Sequence, residues 1–99
     1  MTIEVERTGD GAARIRVRGV FDFSLHEAFR AALERMNGAT GCVVDLSGVE
    51  ALDSSALGML LVLRDRLGGD AAQVRITGAA PGIRRILEIS RFDKLFTLD

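Results

Sequence analysis

The chain has 99 residues, a length that supports one hydrophobic core and excludes a multidomain enzyme. Its 47% hydrophobic and 27% charged residues are the balance of a globular domain and exclude a disordered tail. Thirteen basic residues against fourteen acidic ones leave a net charge of −1, without the basic excess that binding a phosphate backbone requires. We therefore expect one domain over residues 1–99 and no nucleic acid partner.

Cysteine content and the N-terminal pattern predict a cytoplasmic location. Cys42 is the one cysteine and cannot form an internal disulfide, which is typical of a reducing compartment. Residues 1–7 alternate apolar with charged side chains and lack the continuous apolar stretch of a signal peptide. The longest apolar run, Ala56–Leu63, is much shorter than the roughly 20 residues that cross a bilayer, so we expect no membrane insertion.

The first segment predicts a β-hairpin with one solvated face. Apolar residues alternate with charged ones over residues 3–6 and again over 13–18, and Gly9-Asp10-Gly11 separates the two runs. The acidic residues of the first strand are expected opposite the arginines of the second, as cross-strand pairs of opposite charge. These residues are Glu4 and Glu6, against Arg14, Arg16 and Arg18.

A helix is predicted to follow the hairpin. Ser24 and Glu27 have the spacing of a capping box, so the helix should begin at Ser24. Apolar residues continue at helical intervals as far as Met36, and Gly38 is the expected end.

Strands and helices are predicted to alternate in the rest of the chain. Cys42–Leu46 reads as a central strand buried on both faces, followed by a turn at Ser47-Gly48. A helix is predicted over Ala56–Leu67, directly after Asp53–Ser55, and a strand at Gln73–Thr77. Pro81 then begins a third helix, and a short strand lies within Lys94–Leu98. The order is β-β-α-β-α-β-α-β, an α/β fold with a mixed sheet of about four or five strands covered by about three or four helices.

The second helix is apolar around almost its whole circumference from Leu57 to Leu63, with Gly58 as the gap. Such a helix is either wholly buried or offers its outer face to a partner, and a small domain has few layers between which to bury it. At its N-terminus, Asp53, Ser54 and Ser55 favour helix capping on sequence rules alone. The alternative is a phosphorylation switch at Ser54, because a helix N-terminus accommodates a phosphate.

The sequence offers little for conventional catalysis, and we expect no enzyme, no metal site and no bound cofactor. His26 is expected to be exposed, away from any nucleophile, and Cys42 to be an inert thiol in a buried strand. One histidine and one cysteine cannot assemble a metal site of recognised spacing.

The segment Val43–Gly58 resembles the signature of the STAS domain, which is found in bacterial anti-sigma factor antagonists. It contains a strand ending in Asp-Leu, a short loop, and Asp-Ser-Ser-x-Leu-Gly at the start of a helix. Gly19–Asp22 and Ala80–Leu87 agree with the same family, although Ala56 stands where the family commonly has glycine. The resemblance implies the STAS fold over nearly the whole chain.

The resemblance also implies a partner-switching function. Ser54 corresponds to the serine that a partner protein phosphorylates with ATP. This partner is both an anti-sigma factor and a serine kinase of the GHKL type. Ser55 is the second candidate for the phosphorylated residue. The phosphorylated form cannot bind this partner, and a PP2C-type phosphatase restores the unphosphorylated form. In a proteobacterial subgroup, that phosphatase is linked to response regulators. The expected partner-binding residues are Asp22, Asp53, Ser54, Ser55, Ala56, Leu57, Met59 and Leu60.

An alternative implied by the same family is an accessory subunit that binds the ATPase of a lipid-transport ABC complex. That role requires the apolar helix but no phosphate. The chain is expected to be a monomer or a weak dimer, because the same helix offers an apolar face to a second copy.

Overall fold

The computed structural model describes residues 2–99, and the elements in this part of the chain follow the predicted order. The strands are β1 (Thr2–Arg7), β2 (Ala13–Phe21), β3 (Cys42–Leu52), β4 (Val74–Thr77) and β5 (Thr97–Leu98). The α-helices are α1 (His26–Arg35), α2 (Ser54–Arg66) and α3 (Pro81–Ile89). Short 3-10 helices lie at Phe23–Leu25, Gly69–Ala71 and Phe92–Lys94.

The strands form one mixed sheet in the order β1-β2-β3-β4-β5, which confirms the predicted α/β architecture. β1 is antiparallel to β2, and every other neighbouring pair is parallel. Each helix therefore connects two adjacent parallel strands, and each crossover moves one strand further in the same direction. Because such crossovers are right-handed, α1, α2 and α3 lie on the same face of the sheet.

The prediction for β3 was correct in its central position and wrong in two other respects. The strand continues to Leu52 through Ser47-Gly48, where a shift in the pairing with β2 replaces the expected turn. It is also buried on one face alone: Val44 is fully buried, whereas Asp45 on the other face is partly exposed. The reason is that the helices cover a single face of the sheet, so the opposite face stays open to solvent.

The predicted hairpin is confirmed, and its charged residues lie on this open face. Glu4 pairs in register with Arg16, and Glu6 with Arg14. The ion pairs that form are Arg18 with Glu4, at 3.6 Å between nitrogen and oxygen, and Arg16 with Asp45 on β3, at 3.2 Å. Opposite charges thus alternate across the open face, as expected for a solvated surface.

The start of the first helix differs from the prediction, since Ser24 does not cap it. The Asp22 side chain accepts a hydrogen bond from the Ser24 backbone N–H at 2.9 Å and caps the 3-10 helix Phe23–Leu25. The α-helix begins at His26, which is exposed as predicted. Because Asp22 caps this 3-10 helix, Ser24 lies inside it and does not occupy the N-cap position of the α-helix.

The core lies between the sheet and the three helices. Phe21 at the end of β2 packs against Phe29 of α1, with 5.7 Å between ring centroids. The C-terminal strand is shorter than predicted because Phe92–Lys94 forms a 3-10 helix, which buries Phe92 and Phe96 against one another. Within residues 2–99, no helix has both the length and the apolar character needed to cross a membrane.

Candidate functional site

The candidate site lies at the carboxyl ends of β2 and β3. Phe21 and Leu52 are paired in register at these strand ends, so Asp22 and Asp53 follow at the same edge of the sheet. The backbone N–H of Asp53 donates to the carbonyl oxygen of Phe21 at 3.3 Å. The two aspartates that the family resemblance assigned to partner binding therefore directly follow the ends of neighbouring strands.

Asp53 is the N-cap of α2. Its backbone is extended, and its side-chain oxygen accepts a hydrogen bond from the Ala56 N–H at 3.2 Å. Ser54 is the first residue of the helix and is exposed to solvent. Asp53 therefore satisfies the helix terminus, and the exposed Ser54 hydroxyl is not needed for capping.

Asp22 adds negative charge to this edge. Hydrogen bonds from the Ser24 hydroxyl and from the Ser24 backbone N–H hold the pKa of the Asp22 carboxyl below its ordinary value. The carboxylate is therefore ionised at neutral pH. A phosphate on Ser54 would thus enter a region that already carries negative charge.

Ser55 has different surroundings from Ser54. It is partly buried, and one helical step turns it about 100° away from Ser54. It borders a cavity of about 460 Å³ between α1 and α2, which we call the α1–α2 groove. The groove is lined by Phe23, His26, Phe29, Arg30, Leu33, Ser55, Gly58, Met59, Val62 and Arg66.

The structure decides between the two interpretations of α2, because this helix buries one side and exposes the other. Leu60 and Leu63 are fully buried against the sheet, whereas Leu61 is 40% exposed and Val62 is 50% exposed. With helices on one face of the sheet, no further layer covers α2. Its outer face therefore offers apolar side chains to solvent or to a partner.

Burial corrects part of the predicted partner surface. Ala56 and Leu60 are 0% exposed, so their side chains belong to the core and are not available for docking. Met59 is 6% exposed and forms part of the groove lining, while Leu57 is partly exposed. Ala56 and Leu60 were included because α2 is apolar on nearly all sides. In such a helix, the sequence does not show which side faces the core until the position of the sheet is known.

Sequence reasoning missed several exposed residues of this surface. Phe23 is 65% exposed at the mouth of the groove, and Val62 and Leu61 form the outer apolar face of α2. Once the structure shows that Ser54 is exposed, a helical projection places Gly58, Leu61 and Val62 on the same side of α2. No comparable signal marked Phe23, because its exposure depends on the 3-10 helix after β2.

Gly58 forms a gap in the exposed face of α2. A Cβ atom added at this position would have no heavy atom within 4 Å outside the helix's own backbone and the neighbouring residues. Glycine inside a helix is less favourable than alanine by about 1 kcal/mol. Packing within the chain therefore does not account for this glycine.

The other residues considered for chemistry are placed in structural roles. The imidazole of His26 stacks on the Phe23 ring, with centroids 5.0 Å apart. Burial raises the pKa of the Cys42 thiol to about 12, so it stays protonated at neutral pH. Among residues 2–99, no three His, Cys, Asp or Glu side chains are grouped as metal ligands would be.

Comparison with known proteins identifies the family. A family model described as "Mlab, STAS domain" matches residues 4–98. The chain is 45% identical over 100 residues to a STAS-domain containing protein of Pseudomonas aeruginosa strain UCBPP-PA14, covering 99% of both chains.

Two solved structures share the fold. An anti-sigma factor antagonist from Mycobacterium paratuberculosis superposes with a TM-score of 0.81 at 29% identity, over 98% of this chain and 83% of the other. The phosphorylated form of SpoIIAA, a Bacillus cell fate determinant, gives a TM-score of 0.71 at 17% identity, over 99% and 91% of the two chains. By its sequence match and its fold, this chain belongs to the STAS domain family.

Proposed function

We propose that this protein is an anti-sigma factor antagonist that acts by partner switching in the cytoplasm. Its unphosphorylated form binds a regulatory partner, a serine kinase of the GHKL type that also serves as anti-sigma factor. That partner transfers phosphate from ATP to Ser54, and the phosphorylated protein no longer binds it. A PP2C-type phosphatase, linked to a response regulator, then restores the unphosphorylated form. The protein itself is a regulator without a cofactor, not an enzyme.

The observation that carries this proposal is the position of Ser54. It is exposed at the first turn of α2, beside an Asp53 that already caps the helix. The Ser54 hydroxyl is therefore not required for the fold, and the adjacent α1–α2 groove provides an exposed apolar surface that a partner can cover.

Similar structures support the same assignment. The Mycobacterium paratuberculosis structure, which is 29% identical to this chain, is described as an anti-sigma factor antagonist. SpoIIAA has been solved in phosphorylated and unphosphorylated forms, and both superpose on this chain with a TM-score of 0.71. The fold is thus compatible with a phosphorylated state.

The physical basis of the switch is electrostatic. A phosphate adds about −1.5 to −2 charges, which must lose their hydration when the partner docks. The neighbouring Asp53 and the ionised Asp22 increase the repulsion toward any acidic group of the partner. The helix N-terminus meanwhile tolerates the added anion, so binding weakens while the fold is retained.

Phosphopeptide mapping by mass spectrometry tests the proposal on the protein recovered from growing and from stressed host cells. We expect phosphate on Ser54 with an occupancy that differs between the two states. Complete coverage of residues 52–64 without phosphate in either state would contradict the switch. A parallel binding assay compares Ser54→Asp with Thr97→Asp, which adds the same charge at an exposed position on β5.

A second candidate is the accessory subunit of a lipid-transport ATPase. The observation in its favour is that the α1–α2 groove is open without any modification of the serines. In that case the protein would co-purify with a transporter ATPase, and Ser54→Asp would leave the association unchanged. Loss of the association on this substitution would instead favour the phosphorylation switch.

A further inference from the structure

The α1–α2 groove combines an apolar floor with a basic rim. Its lining includes Phe23, Met59 and Val62 together with Arg30 and Arg66, and none of its ten lining residues is a carboxylate. Arg66 is within 3.5 Å of Glu34 on α1, so its charge is partly compensated. Arg30 has no ion pair or side-chain hydrogen bond to any residue of the described chain. The rim is therefore suited to an anionic group.

The groove is long enough to receive a short helix. Its lining runs from Phe23 in the 3-10 helix to Leu33 on α1, and from Ser55 to Arg66 along α2. At 1.5 Å per residue, the α2 side corresponds to a length of roughly 16 Å, or about three turns of a docked helix. An amphipathic helix in a groove of this kind places its apolar side chains at successive turns.

Gly58 widens the middle of the groove. It lies on the α2 wall, and the space beside it is empty of other side chains. A larger residue would project into the groove, while the fold itself does not require glycine at this position. This is an independent reason to regard the groove as a binding surface, since the gap has no role in the packing of the chain.

The charges of this chain argue against a second copy as the occupant. Outside the groove region, α3 also exposes large apolar side chains on a helix, Ile86 and Ile89. Three arginines, Arg84, Arg85 and Arg91, lie beside these isoleucines, and the one carboxylate among them, Glu88, is 3.4 Å from Arg84 and neutralises only that arginine. Docking α3 of one copy into the groove of another would therefore bring arginines toward Arg30, and like charges disfavour that contact.

We propose that the α1–α2 groove binds an amphipathic helix of a protein partner that carries acidic residues beside its apolar stripe. This inference rests on the proposed function and deepens it, because it defines the chemistry of the segment that the partner presents. The apolar stripe covers Phe23, Met59 and Val62, and an acidic residue pairs with Arg30. A phosphate at the N-terminus of α2 would then repel the same acidic segment.

Two synthetic helical peptides of about 16 residues test this proposal. They share one stripe of Leu and Phe, and the flanking positions carry Glu in one peptide and Lys in the other. We expect the Glu peptide to bind about tenfold more tightly by fluorescence anisotropy, and to shift the amide NMR signals of Arg30, Gly58 and Val62. Equal or tighter binding of the Lys peptide, no binding of either, or shifts centred on Ile86 and Ile89 would overturn the proposal.

Matched variants separate the groove from the rest of the surface. Arg30→Glu should weaken the Glu peptide by about tenfold or more, and Gly58→Leu should abolish its binding. Arg85→Glu makes the same charge change on α3 and should have little effect. Undiminished binding by both groove variants, with circular dichroism unchanged, would contradict the assignment.

The peptide assay also distinguishes this inference from the proposed switch. Protein carrying phosphoserine at position 54 should lose affinity for the Glu peptide. If the unmodified protein binds the Glu peptide selectively and phosphorylation has no effect, the groove assignment stands and the switch fails. If Ser54 is regulated by phosphate in cells but the protein does not prefer the Glu peptide, the switch stands and the groove assignment fails.

Discussion

The backbone N–H of Asp53 donates a hydrogen bond to the carbonyl oxygen of Phe21, with 3.3 Å between the two atoms. This bond joins the cap of α2 to the last residue of β2. The turn that carries Phe23 and the helix that carries Ser54 therefore start from adjacent strand ends. Ser54, the proposed modification site, and Phe23, at the mouth of the groove, therefore lie on neighbouring segments that this hydrogen bond joins.

Replacing Asp53 should destabilise the fold more than replacing Ser54. Asp53→Ala removes the side chain that accepts from the Ala56 N–H, and loss of an N-cap costs about 1 kcal/mol in the free energy of unfolding. Ser54→Ala affects an exposed residue and should change it by less than about 0.5 kcal/mol. Urea denaturation measures both values. Asp53→Asn, which keeps the acceptor oxygen, is the control, and an equal loss in Asp53→Asn and Asp53→Ala would argue against the capping role.

Neighbouring leucines of α2 should respond very differently to truncation. Leu60 is fully buried, so Leu60→Ala should lower the free energy of unfolding by about 2–5 kcal/mol. Leu61 is 40% exposed, and Leu61→Ala should have a much smaller effect, about 0.5 kcal/mol. Thermal or urea unfolding of the two variants provides the comparison. Similar losses in both would mean that α2 is covered on both sides.

A feature of this fold could be predicted from the sequence where it depends on residues close together in the chain. The alternation in β1 and β2 is a short-range pattern, and that prediction was correct. The second helix was also predicted from local pattern, but it begins at Ser54, two residues before the predicted Ala56. The one-sided burial of β3 depends on the direction of all three crossovers, which no pattern within Cys42–Leu46 contains. The predicted helix start at Ser24 was wrong for a local reason, since Asp22 caps a 3-10 helix that contains Ser24.

The candidate site shows the same division. Its acidic and serine residues could be recognised at the start of a helix, but the inward and outward sides of α2 could not be separated. Exposure of Val62 and burial of Leu60 follow from where the sheet lies. The basic rim at Arg30 depends on the spacing between α1 and α2, and that spacing arises from tertiary packing.

Stability should fall in acid, in part because of Asp45. A hydrogen bond from the Ser47 backbone N–H, at 2.9 Å, and the contact with Arg16 hold the pKa of Asp45 below its ordinary 3.8 in the folded protein. Its contribution is therefore complete above the unfolded-state pKa and is lost as the pH falls below about 4 through the folded-state value. Urea unfolding from pH 6 to pH 2 should show a shallower acid slope for Asp45→Asn. An unchanged slope would show that Asp45 is not responsible.

Cys42 should be protected from alkylation in the folded protein. Burial raises the pKa of its thiol to about 12, so thiolate is scarce at pH 8, and the side chain is 3% exposed. Iodoacetamide should therefore label the native protein slowly and the urea-unfolded protein readily, as measured by intact mass. Rapid labelling under native conditions would indicate that the amino end of β3 opens frequently.

Gly58→Ala should make the protein more stable and less active in binding. Alanine is favoured over glycine inside a helix by about 1 kcal/mol, and the structure has no atom within 4 Å that would meet the added methyl group. Gly78→Ala is the contrasting variant, because Gly78 has φ +74° and its added Cβ would lie 2.8 Å from the Ser47 Cβ, so this change should destabilise. Urea unfolding and partner affinity, measured on the same samples, test both effects. Higher stability together with weaker partner binding is the expected result if Gly58 leaves space for the partner. A stabilised Gly58→Ala protein with full affinity would show that the gap on α2 is not needed for docking.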